Sequence, residues 1–129
     1  MCYVDITGAT STAIDAVIGS VGLPCFLGKT IVGRFGTVLS VKMECLVAPV
    51  GGEDSIALVQ RAESNLSTGD LAGGTGAIIG TTWSTAGTVA YGKDPRLIYE
   101  AERSLYLRQT GNGAGTYTAG KFLITFYCR

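Results

Sequence analysis

Leu39, Val41, Met43, Cys45 and Val47 recur at every second position of the chain, with Val38, Ser40, Lys42, Glu44 and Leu46 between them. A helix would spread such a series around its whole circumference. A strand sends alternate side chains to opposite faces, so the run predicts a strand with one face buried. The closing stretch behaves the same way: Phe122, Ile124, Phe126 and Cys128 alternate with Lys121, Leu123, Thr125 and Tyr127. A second alternating run, Ser104 to Gln109, stands before it, separated by a loop of Gly, Thr, Ala and Asn. Together they read as a hairpin whose tip, Gly111 to Gly120, carries little that a core would take up and is a candidate contact loop. Leu39, Val41, Met43, Cys45 and Val47 with Phe122, Ile124 and Phe126 are the expected centre of the core.

The rest of the chain is punctuated in the same period. Cys2, Val4 and Ile6 alternate with Tyr3 and Asp5, so residues 1–12 are read either as an edge strand or as an N-terminal arm reaching a neighbouring subunit. Ser11 or Thr12 followed by Ile14, Val17 and Ile18 allows one helical turn, and a loop with a short strand fits equally well. The segment Ile31 to Phe35 leads into the long strand through Gly33 and Gly36, which mark bulges or a bend. Pro49 to Asp54 is turn chemistry, and Ser55 to Arg61 reads as the returning strand. Further short runs follow at Ala77 to Trp83, Thr88 to Tyr91 and Arg96 to Ala101. About seven to eight short strands joined by Gly-rich turns predict an all-β fold, an antiparallel two-sheet β-sandwich in a single domain over residues 1–129.

Composition restricts the partners. Ten basic and ten acidic residues cancel, and only 16% of the 129 residues are charged, against about 25% in an ordinary globular chain. A surface so poorly charged has little electrostatic protection against association, which implies that partners cover much of it. The same balance speaks against nucleic acid, which needs a basic face. No run of about eighteen apolar residues marks a membrane span, and no secretory signal is visible. Four Cys without CxxC spacing, in a chain with no His, read as buried thiols and not as a zinc site.

Without His the usual nucleophile and base pairs are missing. Glu100 and Glu102 share a strand face and so have the pairing that glycoside hydrolysis uses, but a solvated strand end beside Arg103 accounts for them. Glu53, Asp54 and Asp70 lack the spacing of a calcium loop. GGTGAIIG, residues 73–80, lacks the order of a dinucleotide-binding loop and reads as a turn. No catalytic residue, metal or cofactor is expected. Trp83 and the tyrosines could form a platform for stacking sugars, although such aromatics more often serve sheet packing or subunit contacts; a glycan-binding module of a phage head fibre or tail is the alternative reading.

Three stretches carry a family resemblance: the opening YVDITGATSTAI, the closing SLYLRQTGNGAGTYTAGKFLITFYC with its LYL, TAGK and FY groups, and the polar Gly-rich middle before a lone Trp. In these the chain resembles the small capsid decoration, or cement, proteins of tailed bacteriophages. The resemblance implies a compact sandwich of jelly-roll type. It further implies a homotrimer on the capsid exterior of the virion that binds the major capsid protein and ties capsomers together. Its four cysteines are more than that group leads one to expect. Exposure then nominates the contact residues: Tyr3 and Asp5 at the N-terminus, Asn65, Leu66, Asp70 and Leu71 in the middle stretch, and Tyr127 on the last strand.

Overall fold

A computed structural model describes residues 2–11, 18, 26–30, 38–61, 77–92, 103–110 and 115–128. Ten strands run through them: β1 (Cys2–Asp5), β2 (Thr10–Ser11), β3 (Phe26–Thr30), β4 (Val38–Val50), β5 (Ser55–Arg61), β6 (Ala77–Thr82), β7 (Val89–Tyr91), β8 (Arg103–Gln109), β9 (Gly115–Thr116) and β10 (Ala119–Cys128). Among the described residues there is no helix; Ser11 lies in β2, and the helical turn read at Thr12, Ile14 and Val17 lies outside the described residues. The runs at 31–35 and 96–101 lie outside the described residues.

Two four-stranded antiparallel sheets form the body, in the orders β1-β10-β4-β7 and β3-β8-β5-β6, and β2 pairs with β9 beside them. Setting aside the two short strands, the first strand pairs with the last, the second with the seventh, the third with the sixth and the fourth with the fifth. That nested pairing winds a long folded ribbon into two sheets and is the jelly roll. Each sheet also joins two of these pairs in its middle, β10 to β4 and β8 to β5.

This order overturns two pairings read from the sequence. β8 and β10 are not a hairpin: β8 lies in one sheet and β10 in the other. Nor does β5 return alongside β4; the turn at residues 51–54 carries the chain from one sheet to the other. Alternation marks a strand and its inward face, but it contains nothing about the neighbour. Cys2–Asp5 is the edge strand of the first sheet, paired along β10 from Cys2↔Ile124 to Asp5↔Lys121.

The core lies between the sheets. Val41, Met43, Cys45, Phe122 and Ile124 meet Ile56, Leu58, Ile79, Leu105 and Leu107, each at most 6% exposed, with Phe126 packed partly buried beside them. A fully buried side chain of this size contributes about 1.5–3 kcal/mol against the cost of ordering the chain. Leu39 sits in β4, but its side chain lies outside the described residues. Val47 departs from expectation: it is 38% exposed. Phe122 pairs with Cys45 while Lys121 pairs with Val47, so Leu46 is an extra residue on β4. The bulge reverses the inward phase, turning Val47 out and leaving Ala48 packed on the core. A second bulge on β6, between Ile79 and Ala77 opposite Leu58 and Val59, lets consecutive residues Ile78 and Ile79 both face inward.

Tyr117, in the supposed loop tip, is fully buried, and its hydroxyl donates to the Glu53 carbonyl at 2.7 Å. Its ring lies where Gly52 has no side chain, since a Cβ there would come within 2.7 Å of it. Gly51, at φ +92°, faces the Thr116 carbonyl so closely that a Cβ would collide with it. Residues 115–120 are further held by Gly8 N–H donating to the Tyr117 carbonyl at 2.7 Å and Ile6 N–H donating to that of Gly120 at 3.0 Å. That part of the tip is tied down within its own subunit.

Candidate interaction face

The two sheets differ on the sides turned away from the core. In the second sheet Ala57, Val59 and Tyr106 are buried although they point away from the core cluster, and every side chain from Ile56 to Gln60 and from Leu105 to Gln109 is buried. In the first sheet the outward side is open. Register arranges it in rows: Ser40 beside Tyr127; Tyr91, Lys42 and Thr125; Val89, Glu44, Leu123 and Tyr3; Val47, Lys121 and Asp5. Tyr91 is 62% exposed, Tyr3 57%, Tyr127 44% and Val89 41%.

Charges sit within this apolar frame. Lys42 Nζ lies 3.9 Å from Glu44 Oε2, two residues along the same strand face. Asp5 Oδ1 accepts the Thr7 N–H at 2.9 Å, and the Thr7 hydrogen bonds, with Lys121 opposite, hold its carboxyl below the usual carboxylate range. The face therefore carries two positive and two negative groups at neutral pH, with no surplus of either sign.

Tyr3, Asp5 and Tyr127, nominated from different ends of the chain, thus lie on one face because β1 pairs with β10. Asn65, Leu66, Asp70 and Leu71 lie outside the described residues, as do Glu100 and Glu102. Val89 and Tyr91 were not nominated. The signal was present in the alternation of Val89, Ala90 and Tyr91, but only the pairing of β7 with β4 brings them beside Lys42 and Glu44.

Compared with known proteins, the chain matches no family profile, no curated protein and no solved structure.

Trp83 does not serve as a sugar platform. It is fully buried, its Nε1–H donates to the Ile56 carbonyl at 2.9 Å, and its ring meets Phe122 edge-on with centroids 5.4 Å apart. It bridges the two sheets, with its polar handle satisfied. Among the described residues no group of three or more His, Cys, Asp or Glu could hold a metal. Cys45 is a free thiol in the core, and burial pushes its ionisation upward, so it remains protonated and unreactive at neutral pH. Among the described residues, no helix is long and apolar enough to cross a membrane.

Proposed function

We propose that this chain is a structural virion protein, a capsid decoration protein that binds the outside of a phage head and stabilises the contacts between capsomers as a homotrimer. The observation that carries the reading is the open, charge-balanced outer face of the first sheet, beside a second sheet whose central strands β5 and β8 are buried on both sides. A face four strands wide that exposes Tyr3, Tyr91, Tyr127 and Val89 is built to be covered, since exposed apolar groups gathered on one side mark interaction surfaces. The resemblance carried by the opening and closing stretches points the same way. The jelly roll is compatible with it but hosts many functions, so the fold alone does not choose.

The mechanism is mechanical. A subunit that buries surface on two capsomers at once binds the assembled shell and not its separated parts, so its binding free energy adds to the work of separation. Tyr3, Asp5 and Tyr127, with Asn65, Leu66, Asp70 and Leu71, are the proposed contacts with capsid protein and neighbouring copies. Such a protein needs neither a catalytic group nor a cofactor. The glycan-binding alternative has lost Trp83, its strongest anchor, to the core.

Co-sedimentation of the purified chain with expanded heads of the phage that encodes it tests the proposal. Saturable binding at a fixed ratio to the major capsid protein, with heads that withstand more heat when coated, is the expected result. A chain that never associates with heads would sink it.

A further inference from the structure

The open face of the first sheet has a charge pattern with a specific complement. Lys42 and Glu44 follow one another along β4, and Lys121 and Asp5 pair across β10 and β1, so no net charge invites a partner of opposite sign. We propose that a second copy of this chain covers this face, packed about a two-fold axis that crosses β4 at right angles between Lys42 and Glu44.

That rotation lays β4 antiparallel over the partner's β4. Lys42 then meets the partner's Glu44, and Glu44 the partner's Lys42, so four charges alternate at the centre. By the same register Tyr91 lies over the partner's Val89, Thr125 over the partner's Leu123, and Tyr127 over the row of the partner's Lys121, where a cation can sit against its ring. A two-fold axis running along the strands between β4 and β10 does worse. It sets Glu44 over the partner's Leu123 and Lys42 over the partner's Thr125, which desolvates both charges without pairing them across the contact. The charge order therefore selects one axis.

Packing of this kind is the aligned face-to-face arrangement of two sheets, about 10 Å apart. Four strands about 4.8 Å apart and the rows from residue 40 to residue 47 give a flat area of roughly 450 Å² per copy, in the class of weak, reversible contacts. The inference rests on the same open face as the decoration reading, so a second copy seated there and a capsid contact there compete for it. Where trimers form through other surfaces, this contact joins them in pairs away from the head, and a hexamer with dihedral symmetry closes.

Sedimentation equilibrium of the full chain from about 10 µM to about 1 mM tests the contact. Even-numbered species are expected: dimers, or hexamers built from trimers. Lys42→Glu and Glu44→Lys, each placing four like charges at the centre, weaken that step at least about tenfold, and the double exchange K42E/E44K restores it. Tyr91→Glu, which sets a carboxylate beside Lys42 and over the partner's Val89, also weakens it, and circular dichroism of each variant confirms the native strand content. A wild-type chain that shows only monomers or only trimers overturns the proposal. Single charge reversals that leave association unchanged overturn it too, as does Lys42→Glu abolishing head binding while self-association stays intact. A chain that pairs but ignores heads upholds this contact and removes the decoration reading; a chain that binds heads but never pairs does the reverse.

Discussion

The outer faces of the two sheets have the same architecture and opposite fates. Both belong to four-stranded antiparallel sheets built on two central strands, yet Val59 and Tyr106 are fully buried on one outer face while Tyr91 and Tyr3 stand more than half exposed on the other. An aromatic side chain in the first setting contributes to folding. In the second it is held ready for association. The difference teaches that residue type does not reveal the task of a tyrosine in this chain, since Tyr106 is buried on the one outer face, Tyr3, Tyr91 and Tyr127 are exposed on the other, and Tyr117 lies in the core.

The comparison breaks most readily at Tyr106. Tyr106→Ala is expected to lower unfolding free energy by about 3–5 kcal/mol in urea titrations, as truncation of a buried aromatic does. A loss below about 1 kcal/mol would mean that the second sheet is open as well.

Within the first sheet, Met43→Ala and Val47→Ala sharpen the boundary between inner and outer sides. The buried Met43 should cost about 2–5 kcal/mol, and Val47, turned out by the bulge at Leu46, no more than about 0.5 kcal/mol. Equal costs in the same titration would place Val47 back in the core.

Gly51→Ala probes the tie between the β4–β5 turn and β9. A Cβ at φ +92° facing the Thr116 carbonyl is strained in any rotamer, and a loss of about 1–3 kcal/mol in thermal or urea unfolding is expected. Gly87→Ala shares the positive φ but meets nothing within 4 Å, so its smaller loss isolates the collision.

On the open face, Tyr91→Ala should change monomer stability by no more than about 0.5 kcal/mol while weakening association, read by urea unfolding and sedimentation on the same sample.

The smallest effect concerns pH. Asp5 is held below the usual carboxylate range by Thr7, so its stabilising contribution is present above the unfolded value of about 3.9 and is lost as pH falls through the lower folded value. Asp5→Asn should remove that part of the acid limb by lowering stability slightly near pH 7 while leaving it unchanged in acid, below the folded value. A carboxyl titration of Asp5 by NMR at or above the ordinary value would contradict it.

Much of this molecule was legible along the chain, and the limit falls at a physical boundary. Strand positions and inward faces at Val41, Met43, Cys45, Phe122 and Ile124 follow from alternation, because that signal is a property of the backbone period and is carried by neighbours two residues apart. On that basis the all-β sandwich was readable, as was the outward direction of Tyr3, Asp5 and Tyr127.

Pairing is another matter, since strands of similar pattern can exchange partners without altering any local signal. Only the tertiary structure separated β8 from β10, set β1 beside β10 and brought β7 to Lys42 and Glu44. The bulge at Leu46 shows only in register, and one extra residue sufficed to turn Val47 outward. Along the chain Trp83 fits sheet packing, a subunit contact or a sugar platform, and Tyr117 stands in a Gly- and Thr-rich stretch that reads as a contact loop. Their burial depends on carbonyls from Ile56 and Glu53, distant in sequence, that satisfy the indole and the hydroxyl. Local periodicity by itself determined which side chains share a face. Long-range packing decided which of those faces the folded chain leaves uncovered.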